Sequence, residues 1–208
     1  MKKVLTITFL LIGTILIAQD KYRSGMQKAF QLWGEGQTAE AANLFERISA
    51  AEVDNWLPAY YASQVNTVTS FGMQDKEKLT QQLEKAQELI DLAKAISPDN
   101  PEIIVQQALI HTAWVAYDGA TYGMTLSGKV TALYQKALQL APDNPRVVFS
   151  KAEWDMGSAR YFGQDTAPYC KDVERALELF ANFKPESPFH PNWGKERAEE
   201  IVKNCKQE

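Results

Sequence analysis

Twice in this chain a helix-forming run stops at a proline and restarts three residues later behind an Asn-Pro pair. The first junction is Ala93-Lys94-Ala95-Ile96-Ser97-Pro98-Asp99-Asn100-Pro101-Glu102, and the second is Ala137-Leu138-Gln139-Leu140-Ala141-Pro142-Asp143-Asn144-Pro145-Arg146. Proline lacks an amide hydrogen and clashes with the preceding turn, so it cannot continue a helix. Asparagine can accept from the first free N–H groups of a new helix, and proline's fixed φ suits the first helical position. A recurring stop and restart of this type predicts helical hairpins stacked side by side.

The rest of the chain agrees. Leu83, Ala86, Leu89, Ile90, Leu92, Ala93 and Ile96 recur at helical spacing between Glu, Gln, Lys and Asp. No useful stretch alternates apolar and polar residues as a half-buried strand does. At 208 residues and 45 % hydrophobic, the chain can bury one core of ordinary size, as one domain or one short repeat array.

These hairpins resemble the tetratricopeptide-repeat (TPR) family. Ala86, Ile90, Ala93 and Pro98 match the second helix of one repeat, and Val130, Tyr134, Ala137 and Pro142 that of the next. Ala41, Phe45 and Ile48 match an earlier unit, and Ala176, Phe180, Phe183 and Pro188 a looser fourth. First helices then fall at about Tyr22–Gly34, Trp56–Ser70, Pro101–Tyr117 and Pro145–Tyr161. The resemblance implies an all-α, right-handed solenoid of about four helix pairs. A capping helix closes it, with Asn192 as its cap and Trp193, Ala198, Ile201 and Val202 on its apolar face. Pro98 and Pro142 lie 44 residues apart, beyond the roughly 34 of the family. The surplus falls in Tyr117–Gly128, which reads as a Gly-rich turn between the two helices of the third pair.

The first eighteen residues read as an address. Lys2 and Lys3 precede an uncharged apolar run, Val4 to Ala18, with a small residue at its exit. That is the pattern of a cleaved secretory signal, and the run is short of the roughly 20 residues a spanning helix needs. No Cys lies near the exit to carry lipid. The mature domain is then 19–208, in the periplasm or outside the cell, with no membrane span. Export makes the two cysteines a disulfide candidate. If the helices carrying Cys170 and Cys205 form an antiparallel hairpin, its turn lies in the Pro-rich break Lys184–Pro191, midway between them. The sulfurs then meet at the open end. The alternative is two independent thiols.

Several chemistries are not supported. The formal charge is −4, and it becomes two units more negative when Lys2 and Lys3 leave with the signal. No Lys/Arg face offers a nucleic-acid footprint. Gly123-Met124-Thr125-Leu126-Ser127-Gly128-Lys129 matches most of a phosphate-binding loop, but Val130 replaces the magnesium-holding Ser/Thr and no strand precedes it. His111 sits mid-helix beside Trp114 and reads as a satisfied core or groove histidine, since no partner ligand lies at i±4. His190 falls in a turn. No nucleophile–base motif is present, so we expect neither an enzyme nor a cofactor or metal site.

The resemblance implies a concave groove lined by first helices. By position it points to Met26, Phe30, Tyr60, Gln64, Val105, Leu109, Thr112, Phe149 and Glu153, although ordinary inter-helix core explains Phe30, Val105 and Leu109 equally well. Tyr117, Tyr122 and Met124 in the long turn are candidate contacts, or packing over the core. The expected role is an envelope adaptor whose groove binds a protein or peptide. The alternative is a soluble periplasmic protein that holds a small ligand between groove and turn.

Overall fold

The computed structural model describes residues 19–205. The signal expected over Met1–Ala18 lies outside them. Nine helices and no strand occur among the described residues: α1 (19–34), α2 (Thr38–Ala51), α3 (Trp56–Ser70), α4 (Lys76–Ile96), α5 (Pro101–Tyr117), α6 (Gly119–Leu140), α7 (Pro145–Tyr161), α8 (Ala167–Asn182) and α9 (Lys195–Cys205). Consecutive helices pack on one another, and α3, α5 and α7 also lie against each other as an inner layer. The chain is thus an all-α, TPR-like stack of antiparallel helical hairpins.

Local chemistry sets the boundaries. The side-chain oxygens of Asn55, Asn100 and Asn144 accept from the amides of Leu57, Glu102 and Arg146 at 3.1, 3.0 and 2.9 Å. Each therefore satisfies an amide that has no partner inside the helix. Pro101 and Pro145 follow two of these caps at the first helical position. The small residues expected at close crossings, Ala41, Ala86, Ala93, Ala137 and Ala176, are all fully buried beside Phe45, Ile90, Tyr134 and Phe180.

Two local expectations fail. Tyr117–Gly128 is not a turn. A single residue, Asp118, separates α5 from α6, and the surplus over the family spacing lengthens α6 to 22 residues. Asp118 makes this possible, because its carboxylate accepts from the Thr121 amide at 3.0 Å and from the Thr121 hydroxyl. The glycines that signal a turn sit instead inside a helix, at about 1 kcal/mol each relative to Ala. The phosphate-loop look-alike is helical as well, so its amides serve the helix. The second failure concerns the closing helix. It starts at Lys195 after Gly194, whose φ of 103° favours glycine, so Asn192 does not cap it and Trp193 lies ahead of it.

Cys170 and Cys205 are bonded, with Cα atoms 6.1 Å apart. The bond ties the first turn of α8 to the end of α9. The intervening segment 183–194 is the expected break, but it does more than turn.

Candidate functional site

The concave face is where the groove was expected, and segment 183–194 fills it. The Tyr61 hydroxyl donates to the Phe189 carbonyl at 2.8 Å, and Trp193 Nε1 donates to the Tyr60 hydroxyl at 2.8 Å. The Phe189 ring stacks on Phe30 and meets Tyr22 edge-on, at 6.1 and 5.6 Å between centroids. Phe183 lies under the Arg146 guanidinium, 4.3 Å from its carbon. Gly194 passes so close to Phe180 that an added Cβ would sit 3.1 Å from the ring.

A buried ion pair anchors this strap. Glu102 and Arg146 occupy equivalent places after the two Asn-Pro junctions, and their side chains are 2 % and 0 % exposed. Arg146 donates from Nε to Glu102 Oε2 at 2.7 Å and from Nη2 to Oε1. Asn144 Nδ2 also donates to Glu102, and His190 of the strap approaches it at 3.8 Å. Burial pushes the Glu102 carboxyl up, but His190, Arg146 and Asn144 together outweigh burial and hold it below the ordinary value of 4.5.

These contacts correct most of the groove assignment. Met26, Tyr60, Gln64 and Phe149 are between 0 and 3 % exposed. Phe30, Val105 and Leu109 sit in or beside the core, with Val105 fully buried. They are core because the strap covers one side of the inner helices while the second helices cover the other. Thr112 is half-buried and spends its hydroxyl on the Ala108 carbonyl at 2.9 Å. Glu153 is partly exposed and accepts from Arg197 of α9 at 3.1 Å, a link between α7 and the closing helix. Tyr117 packs against the first core cluster, and Met124 is 95 % exposed and contributes to no wall.

A separate cleft of about 300 Å³ remains open between α4, α5 and α6. Leu83, Glu84 and Gln87 of α4 form one wall, and Tyr122, Thr125 and Leu126 of α6 form the other. His111 and Trp114 of α5, three residues apart and so on one helix face, make the floor. The Trp114 and Tyr122 rings lie 5.0 Å apart and tilted by 50°. Gln87 and Gln107 exchange amide hydrogen bonds at 2.7 and 2.8 Å, which fixes Gln107. Its Nε2 then faces His111 Nε2 at 3.4 Å. Desolvation, and next the charge of Lys129, hold the His111 imidazole below its ordinary pKa of 6.5, so the ring is neutral at pH 7. The lining is mostly apolar with a few convergent polar atoms, the usual make-up of a small-ligand site.

Of the candidate residues, only Tyr122 lines this cleft. His111, read as a core or groove histidine, belongs to it. Leu83, Glu84 and Gln87 were legible as parts of a helix but not as a wall. The signal that was available is the pairing of His111 with Trp114 on one face, opposite a helix whose glycines leave side-chain volume missing.

No family model and no curated protein matches the chain. Among solved structures, it is similar to the HusA haemophore from Porphyromonas gingivalis, with a TM-score of 0.78, 22 % identity, and 89 % of this chain and 92 % of that chain covered. It also aligns with a thermophilic TPR protein of Thermus thermophilus, at a TM-score of 0.49 and 15 % identity over 90 % of this chain and 100 % of that one. At 22 % identity the haemophore shares the fold, and nearly the whole of each chain takes part in it.

Proposed function

We propose that this is an exported binding protein that captures a flat, largely apolar ligand of the tetrapyrrole class in the α4–α5–α6 cleft. The observation that carries this reading is the cleft itself: two aromatic rings, two leucines and a neutral imidazole around open space, beside a concave face that is already full. A flat ring system gains most from sliding against aromatic faces, and each good aromatic pair adds about 0.5–1.5 kcal/mol beyond area burial. Lys129, close enough to bear on His111, offers a cation to an acidic edge of such a ligand. That a haemophore has the same fold supports the ligand class. Export is supported by the basic-apolar start of the chain and by the disulfide. No helix among the described residues is long and apolar enough to cross a membrane. Binding, rather than turnover, is the proposed activity.

The test is a titration of the mature, oxidised protein with metal-free protoporphyrin, followed by quenching of tryptophan fluorescence. Saturable quenching, lost in Trp114→Ala and Tyr122→Ala variants that keep their helix content, is the expected result. Binding that survives both substitutions would place the ligand elsewhere.

A protein partner is the second reading. It rests on Tyr161 and Phe162 at the end of α7, 67 % and 71 % exposed with ring centroids 5.1 Å apart. Paired exposed aromatics are enriched at contact surfaces. Crosslinking in the native envelope should then capture a partner that a Tyr161→Ser, Phe162→Ser variant loses.

A further inference from the structure

We propose that His111 presents its Nδ1–H to the floor of the cleft as a donor of fixed polarity, so that the site selects a flat apolar ligand that carries a carboxylate. This inference rests on the cleft reading above and names what the ligand must bring to that floor.

A chain of side-chain amides carries the inference. It starts at Asp91 on α4, whose carboxylate can only accept. Gln87 Nε2 donates to Asp91 Oδ1 at 3.1 Å, which fixes the end of the Gln87 amide that is nitrogen. The second Gln87 N–H goes to Gln107 Oε1 at 2.8 Å, and Gln107 Nε2 returns a bond to Gln87 Oε1 at 2.7 Å. Gln107 then has one N–H left, and it faces His111 Nε2 at 3.4 Å. A neutral imidazole has one N–H and one lone pair. A proton on Nε2 would set two N–H groups against each other, so the proton sits on Nδ1. An exposed carboxylate on α4 thus decides, through two amides, the tautomer of a histidine on α5.

The Nδ1 edge faces open space. Among the described residues, the contact with Gln107 is the hydrogen-bond contact of this ring. Buried side-chain atoms without a partner are Gln64 Oε1, Gln106 Oε1 and Arg146 Nη1, and His111 Nδ1 is not one of them. It is therefore accessible, and the space beside the ring is the cleft that His111 lines. The surrounding charges favour an anion there. Lys129 lies on α6 three residues beyond the lining residue Leu126, on the same helix face, and its charge reaches the imidazole. Glu84 is the acid in the lining, and it stands on the α4 wall. A ligand carboxylate between His111 and Lys129 meets an N–H and a cation together, and such charge-assisted bonds are the stronger kind. An ammonium group at the same point would meet an N–H and a like charge. Trp114 and Tyr122 supply the apolar flanks for the ring system that carries the acid.

Two measurements test this on the full mature protein with its disulfide intact. The first needs no ligand. Nitrogen NMR of the imidazoles at neutral pH should show His111 as the Nδ1–H tautomer, and Gln107→Leu should turn that signal into a mixture while helix content stays unchanged. The second compares metal-free protoporphyrin with its dimethyl ester, which keeps the ring and masks both acids. Wild type should bind the acid about tenfold more tightly than the ester. His111→Phe keeps a flat ring and removes the N–H, so it should cut that preference to about twofold, the share left to Lys129, while binding the ester as wild type does. An Nε2–H tautomer in wild type, a signal unmoved by Gln107→Leu, or an acid preference that is absent from wild type or undiminished in His111→Phe overturns the proposal and leaves the cleft reading standing. If neither ring binds, the cleft reading falls and the proposal falls with it.

Discussion

The two faces of this molecule differ in what closes them. The concave face is filled by segment 183–194, which brings Phe183, Phe189, His190 and Trp193 onto α1, α3, α5 and α7. The α4–α5–α6 cleft is bounded on one side by the first half of α6, which has three glycines and no fully buried residue before Val130. The first region is tied by a buried ion pair, two aromatic hydrogen bonds and a disulfide. The second is walled by a helical stretch that three glycines weaken. A helical repeat can therefore use its groove for stability and place its adaptable surface between α4 and the elongated α5–α6 hairpin.

The sharpest way to break this contrast is to unpair the strap's anchor. Arg146→Met leaves the Glu102 carboxylate buried without its partner, and we expect a loss of about 3–5 kcal/mol in chemical denaturation. Replacing both members with apolar residues, Glu102→Leu with Arg146→Met, should recover most of that loss. A single variant as stable as wild type would mean that the pair does not hold the strap. The same pair sets an acid limit. Glu102 titrates below its ordinary value of 4.5 in the folded protein, so its contribution is complete above that value and lost as pH falls through the lowered one. Stability of the double variant should fall less over that window than stability of wild type.

Next in size is the disulfide. Cys170→Ser with Cys205→Ser opens a loop of 35 residues' separation, an effect of about 4 kcal/mol by the chain-entropy estimate. Because the strap lies inside this loop, hydrogen exchange should rise first at 183–194 and leave the amides of α4 and α5 protected. Uniform deprotection across the molecule would show that the strap is not a separate unit.

These contrasts also explain what was legible in the sequence. The starts of α5 and α7 fall where the Asn-Pro pairs place them, because capping is decided within three residues. The Cys170–Cys205 bond could be anticipated because the Pro-rich break lies midway between the two cysteines. The filling of the groove could not. It depends on contacts such as Tyr61 with Phe189 and Tyr60 with Trp193, separated by 128 and 133 residues, and no local pattern announces them. Glu102 and Arg146 left a fainter trace, opposite charges at the same step after two matching junctions. The α6 glycines were misread for the opposite reason. Local punctuation signalled a turn, and the Asp118 cap together with the buried residues Val130, Tyr134 and Ala137 overrode it.

The smallest expected effect tests the soft wall directly. An added Cβ at Gly128 meets nothing within 4 Å, and one at Gly123 meets only the Ser127 hydroxyl at 3.9 Å. Neither has a positive φ, so Ala fits at both. Each substitution should therefore raise stability by about 0.5–1 kcal/mol through helix propensity alone. At Gly119 the same change brings a Cβ to 3.2 Å from the Tyr161 ring, and the gain should shrink or reverse. The informative reading is porphyrin affinity in the Gly123→Ala, Gly128→Ala variant. If α6 adapts to the ligand, stiffening it slows association while the folded state becomes more stable. If association and affinity stay at wild-type values, the cleft is preformed, and the glycines are tolerated at this wall rather than used by it.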